Sequence, residues 1–184
     1  NENNNIGIKF DAYSSNNLNV VKFSLEIPRG APDTFDTRPK FQVVTELRQS
    51  GRSAYPAIFP NYFMETQYDG YLRSPLLIDG KEVLPLGGIA NSHTVLCNES
   101  GHYVIFSSDR YGFNNSDSAW DSLPPDVLAL GDSFAQGYCV SPPHHFMGRV
   151  ADVIPKTLNL GISGNGPLME LAGLAEYGPA LKPR

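Results

Sequence analysis

The chain has 184 residues, 41% apolar and 18% charged, so it can bury a core and is not a disordered segment. Nineteen acidic against fourteen basic residues leave a net charge of −5 with no basic block, which excludes a nucleic-acid polyanion as the main partner. No apolar stretch approaches the ~18 residues of a membrane span, and two cysteines are too few for a disulfide-dense mini-fold or a four-cysteine zinc site. The opening Asn1-Glu2-Asn3 has no initiator Met and no signal-peptide pattern, which leads to the expectation of a fragment, a trimmed chain or a mature one.

In chain order, strands are expected at Ile6–Tyr13 and Val20–Ile27. Pro28–Pro39, with three prolines and a glycine, breaks any regular element. Lys40–Gln49 reads as a helix with Phe41, Val44 and Leu47 on one face and Gly51 as its stop. Residues 52–80 are expected to be irregular, packed through their aromatic side chains. The runs His93–Asn98 and His102–Phe106, joined by Glu99-Ser100-Gly101, read as a hairpin. Asp109–Asp126 is polar and turn-rich, a connection into a new unit, so a boundary is expected near residue 120 between a mixed α/β extension (1–120) and an α/β domain (121–184).

Beyond Asp126 the pattern is strand, helix, strand, helix. Val127–Leu130 is a short continuous apolar run of the kind buried in parallel sheets. Gly131 ends it, and one helix is expected from Ser133 through Met147–Val153. Leu158–Leu160 is a second such strand. Gly164-Asn165-Gly166-Pro167 is a turn, and Leu168–Tyr177 a helix that Gly178-Pro179 stops. Parallel sheets bind ligands at the carboxyl ends of their strands. Gly131-Asp132-Ser133 lies at such an end, where a helix start supplies backbone N–H groups to a serine oxygen, as acyl transfer requires. The competing reading is that Asp132 and Ser133 only cap a helix. The second strand-ending glycine turn, about 30 residues on, favours a site.

Residues 131–134 (GDSF) and 161–166 (GISGNG) resemble the first two sequence blocks of the SGNH (GDSL) hydrolases. These are serine esterases and acyl hydrolases on a flavodoxin-like three-layer α/β sheet. The likeness covers roughly residues 126–184, and residues 84–115 also look like the region upstream of the domain in some bacterial members, often preceded by a membrane anchor. It implies Ser133 as nucleophile, the N–H groups of Ser133 and Gly164 as oxyanion donors, no cofactor, and a small-molecule or carbohydrate ester as substrate. The family's third oxyanion donor, an Asn, and its Asp-x-x-His are not matched. None of His93, His102, His144 or His145 has an Asp three residues before it. The resemblance therefore implies the first half of a catalytic domain, inactive by itself. A non-catalytic binding or scaffolding module on the same fold is the alternative.

Other signals are weaker. GISGNG lacks the Lys-Ser/Thr of a phosphate-binding loop. His144-His145 reads as a solvated pair rather than metal ligands. Tyr55, Phe59, Tyr62, Phe63, Tyr68 and Tyr71 read as packing glue before a sugar platform. Cys97 and Cys139 are open between a bridge, which would favour an extracytoplasmic location, and two buried thiols.

Overall fold

The computed structural model describes residues 7–15, 18–26, 35–66, 72–142 and 144–183, and divides into two compact units, residues 1–36 and 37–184. In the first, β1 (Gly7–Ser15) and β2 (Leu18–Glu26) pair antiparallel along their whole length. Phe10 stands opposite Phe23 and Ala12 opposite Val21, alternating with Asp11 opposite Lys22. The pairing follows the period-2 alternation of the sequence. Residues 27–34, most of the proline-rich break, lie outside the described residues.

The second unit opens with α1 (Lys40–Gln49), which ends as its sequence predicts. Gly51 takes φ +84°, its N–H donates to Arg48 O, and the Arg52 N–H donates to Leu47 O. These are the two bonds of a Schellman cap. The buried face is a correction: Val43 and Val44 are buried with Leu47 packed beside them, whereas Phe41 is exposed. Valines at i and i+1 with Leu at i+4 centre the stripe away from Phe41.

Residues 52–80 are more regular than expected. β3 (Ala54–Pro56) is followed by a 3-10 turn at Pro60–Phe63. Two small antiparallel ladders come next, β4 (Glu65–Thr66) with β5 (Leu72–Arg73) and β6 (Leu77–Ile78) with β7 (Lys81–Glu82). The hairpin is present as β8 (His93–Val95) and β9 (Ile105–Ser107), and β3 adds to it in parallel, giving the order β3-β8-β9. Pro56 is accommodated because it ends an edge strand. Val43, Val44, Ala54 and Val95 form one cluster on this sheet, and Leu96, Val104 and Phe106 form another.

After a 3-10 turn at Asp117–Asp121 come β10 (Val127–Ala129), α2 (Ser133–Gln136), α3 (Phe146–Val153), β11 (Thr157–Asn159) and α4 (Pro167–Leu181). β10 and β11 pair in parallel, Leu128 opposite Leu158, as the two apolar runs imply. The unit is mixed α/β, and the division in composition near residue 120 falls inside it. The main core joins Leu158, Leu160 and Ile162 to Phe113, Trp120 and Leu181.

Two helix expectations are corrected. The helix from Ser133 to Val153 is two helices, because Gly137 turns left-handed (φ +79°) after one turn of α2 and Pro142 follows in the connecting loop. α4 does not stop at Gly178-Pro179. It runs through Pro179 to Leu181, which is buried in the core and anchors the last turn. Among the described residues no helix is long and apolar enough to cross a membrane.

Candidate active site

Ser133 stands at the first position of α2, directly beyond the carboxyl end of β10. Asp132 is the N-cap, its Oδ1 accepting from the Phe134 N–H at 3.0 Å, so the acid fixes the turn. With α2 only one turn long, the helix dipole contributes little, and what remains for chemistry are individual N–H groups. Neither the Ser133 N–H nor the Gly164 N–H has a protein acceptor among the described residues. The Ser133 side chain is half-buried and lines a crevice with Phe134, Gly137, Tyr138, Val140, His145 and Phe146.

The second turn follows β11. Gly161, Ile162 and Ser163 are buried, and Gly164 is exposed with φ +86°. Asn61, from the 3-10 turn, lies across Gly164: a Cβ added there would come within 2.9 Å of its amide atoms. Gly164 faces a crevice walled by Met64, Pro167, Leu168 and Met169.

The two strand-end turns are fastened to each other. Gln136 Oε1 accepts from the Ser163 N–H at 3.0 Å and from the Ser163 hydroxyl at 2.6 Å. Asn159 Nδ2 donates to Ala135 O at 2.6 Å, while its Oδ1 accepts from the Gly161 N–H. The backbones also touch: a Cβ on Gly161 would lie 2.5 Å from the Ala135 Cβ, and one on Gly131 would lie 2.8 Å from it. Glycine at both strand ends is therefore a steric requirement as well as a turn signal.

Behind these turns is a buried carboxylate that sequence reasoning missed. Asp109 is fully buried and accepts from the N–H groups of Tyr111 and Phe113, from Asn115 Nδ2 and from Trp120 Nε1, all at 2.8–2.9 Å. Asn115 continues the chain of contacts. Its amide donates to Asn159 O and accepts from the Asn159 N–H, both at 2.9 Å. Asn114 Nδ2 donates to Gln136 O at 2.8 Å. Asp109, Asn114 and Asn115 sit in the polar stretch read as a connection, and only long-range bonding gives them their role.

His145 is also corrected: it is 7% exposed, not solvated, while His144 is exposed. His145 caps α3, its Nδ1 accepting from the Gly148 N–H at 3.0 Å, and burial pushes its pKa down. Acceptance at Nδ1 assigns the proton of the neutral ring to Nε2. An imidazole in that state cannot take the serine proton. Gly137 makes room for the ring, since a Cβ there would fall 2.5 Å from His145 Cγ.

Cys97 and Cys139 form a disulfide, with Cα atoms 5.6 Å apart, tying the β8–β9 hairpin to the loop after α2. Among the described residues the one group of His, Cys, Asp and Glu spaced to hold a metal is Cys97, Glu99 and Cys139, and the disulfide engages both sulfurs. Of the aromatics between residues 55 and 71, Tyr55 lies under the Arg48 guanidinium, and Phe59 packs edge-on against Tyr62 and Tyr138. Tyr68 and Tyr71 lie outside the described residues. Compared with protein-family models, curated proteins and solved structures, the chain matches none.

Proposed function

We propose that the chain carries the nucleophile and part of the oxyanion hole of an SGNH-type serine acyl hydrolase or acyltransferase, on the first two βα units of a flavodoxin-like three-layer domain. Ser133 Oγ is the nucleophile; the Ser133 and Gly164 N–H groups are oxyanion donors; the substrate is an ester, with O-acylated glycans the class in view. The observation that supports this most is the clamp between Gln136 and Ser163, which holds a serine at one strand end beside a glycine turn at the next. In such a site Oγ attacks the ester carbonyl carbon. The carbonyl oxygen takes up the electron pair, and the Ser133 and Gly164 N–H groups are the donors assigned to it in this reading. The alcohol then leaves, and the acyl group passes to water or to a second alcohol.

The attack also needs a base, because a serine hydroxyl is a weak nucleophile until its proton is accepted. Among the described residues no histidine bonds to Ser133, and His145 is committed to Gly148. That same observation favours the second reading, a non-catalytic binding module. Hydrolysis of p-nitrophenyl acetate distinguishes them, measured for the protein as the cell makes it, for the 184 residues alone, and for Ser133→Ala. The enzyme reading requires Ser133-dependent turnover in the cell-made protein, lost by up to about 10⁶ in Ser133→Ala, and little activity in the 184 residues. Equal rates with and without Ser133 in the cell-made protein overturn the enzyme reading and leave the binding module as the alternative.

A further inference from the structure

The turn of the β8–β9 hairpin and the loop after α2 meet at a cluster of three metal-ligating side chains. The sulfurs of Cys97 and Cys139 and a carboxylate oxygen of Glu99 lie within 4.8 Å of one another. Cys97 is innermost, Cys139 half-buried and Glu99 exposed, so the cluster opens to solvent on one side. Glu99 makes no hydrogen bond or ion pair among the described residues, although it stands next to two sulfurs. Cys139 holds a left-handed backbone, φ +60°, which is costly for a residue with a side chain. The turn it makes carries its sulfur back to Cys97, with the Cα atoms 5.6 Å apart. While the bridge is intact, the Glu99 carboxylate is the one member of the cluster free to bind a metal.

We propose that reduction converts this disulfide into a Zn²⁺ site, with the Cys97 and Cys139 thiolates and the Glu99 carboxylate as its three protein ligands. A dithiol supplies two electrons and two protons: its own sulfurs become a disulfide, the Cys97–Cys139 bond breaks, and two thiols are left. Zn²⁺ then binds both sulfurs as the two thiol protons pass to solvent. Without a cation, two thiolates beside a carboxylate repel one another, which holds the pair protonated. Thiolate ligands select zinc over Mg²⁺ and Ca²⁺, which take oxygen. Two sulfurs on one tetrahedral zinc stand about 3.8 Å apart, given a zinc–sulfur distance of about 2.3 Å. Cysteine side chains on Cα atoms 5.6 Å apart can span that separation. Three protein ligands leave the fourth position to water, which the exposed side of the cluster admits. The metal then replaces the covalent tie. Tyr138 and Val140, on either side of Cys139, line the crevice beside Ser133, so that wall stays anchored to the hairpin in both redox states. Metal binding here does not depend on the reactivity of Ser133.

The test is a titration of the full chain, reduced with a phosphine and freed of metal, with Co²⁺ and then Zn²⁺. Co²⁺ is expected to give the near-ultraviolet absorption of thiolate-to-cobalt charge transfer and the visible bands of a four-coordinate ion. One equivalent of Zn²⁺ should remove both, and the oxidised chain should give neither. Glu99→Ala should weaken Zn²⁺ binding at least about tenfold, the smallest loss typical even of groups that only support a ligand. Cys97→Ser with Cys139→Ser should abolish it. Zn²⁺ should raise the thermal midpoint of the reduced chain and leave that of the oxidised chain unchanged. If reduction unfolds the chain, Zn²⁺ is expected to restore its near-ultraviolet circular dichroism. Absence of charge transfer overturns the proposal, as does failure of that restoration. Equal affinity in Glu99→Ala and the parent overturns it as well, since two thiolates alone then account for binding.

Discussion

Gln136 and Ser163, 27 residues apart, share a two-pronged contact in which one amide oxygen accepts both the backbone N–H and the hydroxyl of the serine. Both side chains are buried. Gln136→Ala leaves two donors without acceptors and is expected to cost about 1–3 kcal/mol. Gln136→Glu keeps an acceptor oxygen and should restore part of that. Urea unfolding of the three proteins checks the order. A Gln136→Ala protein as stable as the parent means the clamp contributes nothing.

Asp109 is the acceptor for four N–H groups in the core. Asp109→Ala strands all of them and should cost more than about 3 kcal/mol, whereas Trp120→Phe removes one donor and some packing and should cost less. Asn115→Ala breaks the link from Asp109 to Asn159 and should lower stability as well. The check is thermal unfolding of the three variants beside the parent.

Gly161→Ala places a methyl group 2.5 Å from Ala135 Cβ and 2.7 Å from Gln136 N. About 1–3 kcal/mol of destabilisation is expected from overpacking. Because one clash is with backbone, Ala135→Gly should rescue only part of it. Full rescue in the double variant means the backbones can move apart.

His145 carries a pH prediction. Its folded pKa is lower than the ordinary histidine value near 6.5, through burial. The unfolded chain therefore binds the proton first as pH falls, so this contribution is complete above 6.5 and declines below it toward the folded pKa. The denaturation midpoint should fall from pH 7 to pH 5, and His145→Asn should flatten that fall. An identical pH profile in the variant excludes His145 as its source.

The disulfide closes a loop spanning 42 residues. On chain entropy alone it contributes about 4 kcal/mol. Cys97→Ser with Cys139→Ser should lower the midpoint accordingly. An unchanged midpoint means the folded segments already hold the two loops together.

What was legible in the sequence was local. Two short apolar runs ended by glycine gave β10 and β11, and Gly51 gave the end of α1, because a strand's burial and a Schellman cap are written in adjacent residues. The helix break at Gly137 was missed because Ser133–Val153 keeps enough apolar residues to look continuous, and only His145 doubling back shows why that glycine is there. Pro179 misled in the other direction, since Leu181 holds the helix together beyond it. The polar framework was hidden for a different reason. Asn115 and Asn159 are 44 residues apart, Gln136 and Ser163 27, and no periodicity announces a hydrogen bond at such range.

Asn115 also sets a direction of growth. In the parallel ladder Leu160 bonds to Ala129, so the N–H and C=O of Asn159 point away from β10, and both are taken by the Asn115 amide. That side chain does for β11 what a neighbouring strand would do. It plugs the outer edge at the residue where pairing would begin. Any further strand joining this sheet must therefore do so along Val127–Ala129, on the far side of β10, which makes the strand bearing the serine turn an interior one and β11 the rim.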